Sequence, residues 1–346
     1  MIQTISLCNV CYKKIPATIE FVGGAAIMRK ECDVHGKFEA LVDPDAQHVS
    51  NFYRYGTMGN NNNIIIHTHD KCNMTCSWCY YPMGIEKMKP IEFYDSLLYE
   101  PYKGFRLMLS GGEPTMRPDY FEFVDGAHKR GWNPSTITNM INLADEEFFA
   151  KTLNPSFVDG DNNYKFAMSF QHPKNYSAEI YEQKVKALEN IGKAGLKASC
   201  VMFSIQSMDE LDFIKDFYDK TRHLYHMLRV RTMFNNWANK GEKQLFLSEL
   251  HRAFLGKFEE YCPVQSTNVE QSNIYCLYME TKYHQPISLS SAPTVGNLDY
   301  HLCSRPVYML ANDLRCYPVP ISQIIQEGIS AGWKDGYRID GGSICG

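Results

Sequence analysis

Two regimes of apolar and polar positions succeed one another along the chain, changing near residue 60. In the first, the short stretches 17–22, 26–30 and 37–42 have the residue types and length of β-strands. Gly23, Gly24 and Gly36 punctuate them as turns. A ribbon this small buries too little to hold itself together and needs a metal as a staple. After the polar stretch 59–63, apolar runs of strand length alternate with runs of helical spacing. Strands are predicted over 63–67, 105–109, 135–138, 165–170, 198–204 and 227–233, and helices over 89–102, 118–129, 177–194 and 208–221, the second opened by a proline in its first turn. From 241 the pattern loosens into a helix over 244–261 and a region rich in Tyr, Ser and Cys.

This order implies an α/β fold in which a parallel sheet with right-handed crossovers curls into a full or partial (β/α)6 TIM-like barrel. Chemistry in such a barrel gathers at the C-terminal ends of the strands. The expected organisation is a small metal-binding unit over 1–55, the barrel over 60–240 and a C-terminal extension over 241–346, with no internal repeat.

At 346 residues, 44% hydrophobic and 21% charged, the chain has globular composition. A net charge of −4 offers no basic stripe, so a nucleic-acid partner is not expected. No apolar run is long enough to span a bilayer, and the start lacks an export signal, so the expected compartment is the cytoplasm. Twelve cysteines in such a chain point to metal ligation, because the cytosol keeps thiols reduced.

Cys72-x3-Cys76-x2-Cys79 follows the first barrel strand. Three thiolates so spaced can hold three irons of a [4Fe–4S] cube and leave the fourth open. The competing reading is a zinc knuckle completed by His67 or His69. With the aromatic Trp78 before its last cysteine, the trio resembles the signature of the radical SAM superfamily. That resemblance implies that the open iron chelates S-adenosylmethionine (SAM), and that an electron from the cluster cleaves its sulfonium to methionine and a 5′-deoxyadenosyl radical. A second match supports it: Ser110-Gly111-Gly112-Glu113-Pro114-Thr115 ends the second strand where the family's GGEP motif holds the methionyl amino group. Glycines admit a close backbone approach, and a carboxylate can pair with an ammonium.

Further correspondences run around the sheet. Thr138-Asn139-Met140 ends the third strand, where relatives carry a polar residue near the adenosyl group, and Ser169 with Gln171 ends the fourth, where ribose or carboxylate contacts lie. Each of these is equally a turn or capping residue. Arg229 and Arg231 share one face of the last barrel strand. Facing inward they would bind the SAM carboxylate or an anionic substrate; facing outward they are solvated charges.

Cys8-x2-Cys11-x20-Cys32-x2-His35 has the two-knuckle spacing of a zinc ribbon, although a single rubredoxin-like iron suits the ligands as well. The stretch resembles the N-terminal CxxC…CxxHG segment of a radical SAM subgroup that includes pterin methylases and archaeal tetraether lipid synthases. Late in the chain, Cys303 and Cys316 flank a hairpin with Asn312-Asp313 as its turn, and Cys345 follows. This resembles a shortened Twitch or SPASM extension, which implies an auxiliary [4Fe–4S] cluster whose fourth ligand would be Cys276, His301 or substrate. Structural cysteines or a redox thiol are the alternatives.

Three functions follow from these motifs. The first is a radical SAM enzyme, fed electrons by a reductant such as flavodoxin or ferredoxin, that abstracts hydrogen from a small molecule, lipid or peptide in an oxidation, C–C bond formation or epimerisation. The second is a radical methyltransferase. The third is a zinc-binding adaptor without catalysis.

Overall fold

The computed structural model describes residues 1–261, except 12, 56, 59–62, 77–78, 80–87, 98–105, 161 and 233–243, together with 268–271, 275–291, 296, 308–310, 315–318 and 337–338. An antiparallel sheet opens the chain with β1 (Ile2–Leu7), β2 (Lys14–Val22), β3 (Ala25–Cys32) and β4 (Gly36–Asp43), in that order across the sheet. The last three cover the predicted short stretches 17–22, 26–30 and 37–42. β1 is an addition, a short run whose partner is supplied by β2, with Ile2 opposite Ile19 and Leu7 opposite Lys14.

Helix α1 (Ala46–Tyr55) follows and buries Val49 and Phe52. These join Ile19 and Met28 of the ribbon to Ile64 and Leu107 of the barrel in one apolar cluster, so the ribbon does not stand apart from the main core. A side-chain acceptor reinforces the join, the Ser248 amide donating to the Asp43 carboxylate Oδ2 at 3.1 Å.

The barrel then builds in chain order. After β5 (Thr57–Met58) come β6 (Asn63–His67), β7 (Arg106–Ser110), α2 (Tyr120–His128), β8 (Ser135–Thr138), α3 (Glu146–Lys151), β9 (Val158–Asp159) and β10 (Asn163–Phe170). Next are α4 (Ala178–Lys193), β11 (Lys197–Ile205), α5 (Glu210–Thr221), β12 (Leu228–Thr232) and α6 (Leu247–Phe258). The strands β6-β7-β8-β10-β11-β12 lie side by side in that order, each parallel to the next, with crossovers carrying helices between them. This is the predicted sixfold parallel arrangement.

Beyond α6, β13 (Asn268–Gln271), β14 (Tyr275–Glu280) and β15 (Pro286–Ser291) extend the sheet, β15 running parallel to β12. On the opposite flank β16 (Tyr308–Leu310) runs parallel to β6 and antiparallel to β17 (Arg315–Pro318), which pairs with β18 (Tyr337–Arg338). The expected hairpin around Asn312-Asp313 is therefore present as two paired strands, and it is joined to the barrel's first strand.

Two helices differ from expectation. Over the described residues of 89–102 the chain forms a 3₁₀ stretch, Ile91–Leu97, because the apolar pair Ile91 and Tyr94 at i and i+3 is stacked as well by three residues per turn as by 3.6. Helix α2 begins at Tyr120 with Asp119 at its N-cap, so Pro118 precedes the cap instead of occupying the first turn.

The barrel sheet has two unlike faces. Outward, Phe170 and Phe203 meet Phe217 of α5 with ring centroids 4.8 and 5.1 Å apart. Inward lies a smaller cluster of Ala167, Cys200 and Met202, with Ile137 and Met227 against it. Among the described residues no helix is long and apolar enough to cross a membrane.

At the end of β6, His67 is 5% exposed and His69, two residues on, 2% exposed. Burial disfavours the imidazolium and lowers the two to about 3 and about 4. The unfolded chain takes up these protons below about pH 6.5, whereas the folded chain resists until much lower pH. Stability is therefore expected to fall as pH drops from 6.5, by up to about 1.4 kcal/mol per pH unit for each histidine. Urea midpoints between pH 7.5 and 5 should show this slope, and His69→Gln should flatten it; an unaltered slope in the variant would rule His69 out as a source.

Candidate functional site

The site is made where the loops that follow β6 and β7 touch. The Thr68 amide donates to Ser110 O at 2.9 Å, the Gly112 amide to His69 O at 2.8 Å, and the Glu113 amide to Lys71 O at 2.8 Å. Only glycine permits this approach. A Cβ on Gly112 would lie 2.1 Å from Lys71 O and one on Gly111 2.6 Å from His69 O, and Gly111 also sits at φ +117°. The Gly-Gly-Glu-Pro turn is thereby sewn to the segment that leads directly into Cys72.

Cys72, Cys76 and Cys79 are all half-buried and free of disulfides. Cys72 Sγ accepts from the Met74 amide at 3.4 Å, and the Asn139 amide nitrogen Nδ2 stands 3.8 Å from it. Burial raises Cys72, with added repulsion from Glu113 and Cys79, and pushes Cys76 up to about 12, with added repulsion from Cys79 and Cys72. The buried thiols of Cys72 and Cys76 stay protonated until a cation compensates them, the behaviour expected of ligands awaiting iron. The donor set thus fits a thiolate-bound cluster. Trp78 lies outside the described residues.

Glu113 is 1% exposed and bridges the ends of the second and third barrel strands. Its Oε1 accepts from the Thr115 amide at 3.2 Å, Thr115 Oγ1 at 2.6 Å and Thr138 Oγ1 at 2.8 Å, while Oε2 accepts from the Asn139 amide at 2.7 Å. Desolvation raises its pKa, and these four bonds oppose the rise. Pro114 opens the short 3₁₀ turn Pro114–Met116 that this carboxylate caps. Asn139 reaches back across the mouth, donating to Asn73 Oδ1 at 2.6 Å. Next to it Met140 holds a left-handed φ of +77° while fully buried, a strained turn for a residue with a Cβ.

Ser169 and Gln171 end the fourth strand as expected. The Ser169 carbonyl accepts from Lys184, and Gln171 Oε1 accepts from the Tyr176 hydroxyl. Arg229 and Arg231 face the barrel interior, since Leu228 and Val230 between them lie in the helix-side core, and Arg231 Nε donates to Ser204 Oγ at 2.7 Å.

Sequence reading passes over Lys184. Fully buried on α4, it donates to Asn139 O at 2.6 Å and Ser169 O at 2.9 Å, clamping the third and fourth strand ends together. Desolvation lowers it to about 8, against the attraction of Cys76, Glu113 and Cys72. A signal for it exists: Lys184 continues the buried stripe of Ala187, Leu188 and Ile191 at helical spacing, where a lysine has no place without buried partners. Arg117 is a second omission, 3% exposed and donating to Thr68 O at 3.0 Å and Lys89 O at 2.9 Å.

In the ribbon, the ligand atoms of Cys8, Cys11, Cys32 and His35 all lie within 4.8 Å of one another. Cys8 Sγ to His35 Nδ1 is 3.6 Å, Cys32 Sγ to the same nitrogen 3.5 Å, and Cys11 Sγ to Cys32 Sγ 3.9 Å. A tetrahedron with Zn–S of about 2.3 Å and Zn–N of about 2.05 Å has S–S edges near 3.8 Å and S–N edges near 3.6 Å, so the four atoms fit zinc. Three thiolates leave such a centre with net charge −1. Lys30 answers it: 5% exposed, it donates to Leu7 O at 2.6 Å and Ser6 Oγ at 3.0 Å beside Cys8. Lys30→Met is expected to weaken zinc retention about tenfold, in the range of other outer-shell ligand supports, as read by competition with a chromogenic chelator. Unchanged affinity would show that solvent alone compensates the charge.

Residues 1–44 match the family model of the HMPTM N-terminal zinc ribbon domain. The 7,8-dihydro-6-hydroxymethylpterin dimethyltransferase of Methanocaldococcus jannaschii is 27% identical over 232 residues, covering 56% of this chain and 45% of that protein. The mycofactocin maturase MftC of Mycolicibacterium smegmatis is 27% identical over 149 residues, covering 41% of this chain and 37% of that protein. The chain resembles the radical SAM enzymes. It spans less than half the length of these curated relatives. Among solved structures, Streptococcus suis SuiB bound to S-adenosylmethionine aligns with 75% of this chain and 55% of that one, at 12% identity and a TM-score of 0.47.

The late cysteines are described only in part. Cys276 lies on β14 opposite Glu270 and Ser290, and Cys316 on β17 opposite Leu310 and Tyr337. Cys303, Cys345 and His301 lie outside the described residues.

Proposed function

We propose that the chain is a radical SAM enzyme, with a zinc ribbon over 1–55, a catalytic barrel over 60–240 and an extension over 241–346. The observation that carries this reading is the glycine-dependent contact between the Cys72 loop and the Gly-Gly-Glu-Pro turn at the C-terminal ends of adjacent parallel strands. Cys72, Cys76 and Cys79 would hold a [4Fe–4S] cluster. With SAM bound, that pair of cofactors supplies reductive cleavage of the sulfonium and a 5′-deoxyadenosyl radical.

The remaining work belongs to the chain itself. Gly111 and Gly112 clear room for backbone to approach, and the acceptor capacity left on Glu113 Oε2 suits the methionyl ammonium. Asn139, Ser169 and Gln171 would orient the adenosyl group, with Lys184 holding two of their strand ends in register. Fixing the substrate's target carbon at contact distance from the radical carbon that takes its hydrogen is what would make abstraction from an unactivated C–H bond selective.

After anaerobic reconstitution with iron and sulfide, the chain is expected to turn SAM into 5′-deoxyadenosine under a strong reductant such as dithionite or reduced flavodoxin. A colourless protein that forms none would overturn the proposal and leave the zinc-binding adaptor. A methyltransferase reading also has specific support, from the ribbon and the pterin dimethyltransferase together. It predicts S-adenosylhomocysteine as a product. Eight irons per chain instead of about four would support an auxiliary cluster on the late cysteines.

A further inference from the structure

We infer that Lys184 is a positioning residue for the site of the cysteine trio: hydrogen bonds through the Asn139–Met140 peptide tie it to Glu113, and its buried positive charge eases reduction of the cluster bound there. This deepens the radical SAM reading and rests on it, since the role requires a cluster on Cys72, Cys76 and Cys79.

The tie to Glu113 is unbroken. Lys184 Nζ donates to Asn139 O at 2.6 Å. The N–H of that same peptide, on Met140, donates to Thr138 Oγ1 at 3.0 Å, and the Thr138 hydroxyl donates to Glu113 Oε1 at 2.8 Å. A buried ammonium is thus linked to a buried carboxylate with every donor aimed the same way, so each bond polarises the next. A second branch reaches the trio. The Asn139 amide donates to Glu113 Oε2 at 2.7 Å, while its side chain is fixed at both ends, Nδ2 donating to Asn73 Oδ1 at 2.6 Å and Oδ1 accepting from the Ile141 amide at 3.1 Å. Nδ2 then stands 3.8 Å from Cys72 Sγ. Anchoring the Asn139 carbonyl therefore holds both the carboxylate and the amide that faces Cys72.

A neutral donor could head the same chain, so the charge needs its own explanation. Among the described residues the direct partners of Lys184 are the carbonyls of Asn139 and Ser169 and the ring faces of Tyr176 and Phe170, whose centroids lie 4.9 and 5.7 Å from Nζ. None of these is an anion. Burying the ammonium costs free energy that an apolar residue in the stripe of Ala187, Leu188 and Ile191 would not. Attraction from Cys76, Glu113 and Cys72, in that order, works against this cost. As neutral thiols the two cysteines offer little; as thiolates on iron they are anions. Three thiolates make the loaded site negative, and an added electron makes it more so. A fixed cation beside the ligands lowers the cost of that electron, as net charge and outer groups set the potential of iron–sulfur centres generally.

The full-length reconstituted chain is to be titrated with dithionite, which supplies the single electron, and read by the paramagnetic resonance of the reduced cluster, following the component that added SAM perturbs. Lys184→Gln keeps a donor for the carbonyl and removes the charge. It is expected to weaken the reduction equilibrium at least tenfold, a shift of about 59 mV to more negative potential for one electron. Lys184→Met should shift it as far, and Lys184→Arg should recover most of the difference. Zinc content unchanged in all three would report an intact fold. A midpoint unaltered in both neutral variants, or a shift seen with Met and absent with Gln, would make Lys184 a structural donor and overturn the inference. So would neutral variants that both fail to fold. Failure of the radical SAM reading is registered separately, on the unaltered chain, as the absence of any reduced-cluster signal that responds to SAM.

Discussion

Cys76→Ala is expected to reduce 5′-deoxyadenosine formation to background and to lower the iron content by about four atoms per chain. The reason is stoichiometric. Three cysteines leave one iron of a cube for SAM, so removing one more protein ligand leaves the cluster held by two sulfurs at a half-buried site. Among the described residues of 60–240 the one further cysteine is Cys200, which packs beside Ala167 and Met202. Zinc, held by the ribbon's own four ligands, should remain near one per chain, and that count separates loss of the cluster from loss of the fold. Iron content and SAM cleavage that both survive the substitution would remove Cys76 from the ligand set.

A single methyl group at Gly112 should be nearly as damaging. In Gly112→Ala the added carbon would meet Lys71 O at 2.1 Å, and backbone on both sides cannot yield as the tip of a side chain can. The loops must then part, breaking the bonds from Gly112 and Glu113 to His69 and Lys71. We expect at least about 2 kcal/mol of destabilisation, the range of core overpacking, together with loss of bound iron. Gly256→Ala in α6 is the matched control, because a carbon there meets nothing within 4 Å. It should stabilise by about 0.5–1 kcal/mol through the helix preference of alanine. Equal stability and equal iron content in the two variants would show that the loop contact is not required.

How legible all this was depends on the element. The strand over 63–67 is recovered with its limits intact, because β-branched residues bounded by polar ones admit few alternatives. Helix α4 is recovered within a residue at each end, marked by Ser177, whose side chain accepts from the Ile180 amide. By contrast the stretch over 89–102 has a period that two helix types share, and β1 becomes a strand through a partner elsewhere in the chain.

The same division runs through the site. Residue types and spacings within one loop are local, so the sequence alone specified a set of thiols on each knuckle, a turn of two glycines, and a parallel α/β order that sends loops to one end of a sheet. The tertiary structure decided what those groups meet: that Glu113 is bonded by Thr138 and Asn139 from the next strand, that Lys184 bridges two strand ends, and that both arginines of β12 face inward. Each of these depends on contacts between residues far apart in the chain, and on the free energy of burying a charge, which is set by neighbours the local pattern does not contain.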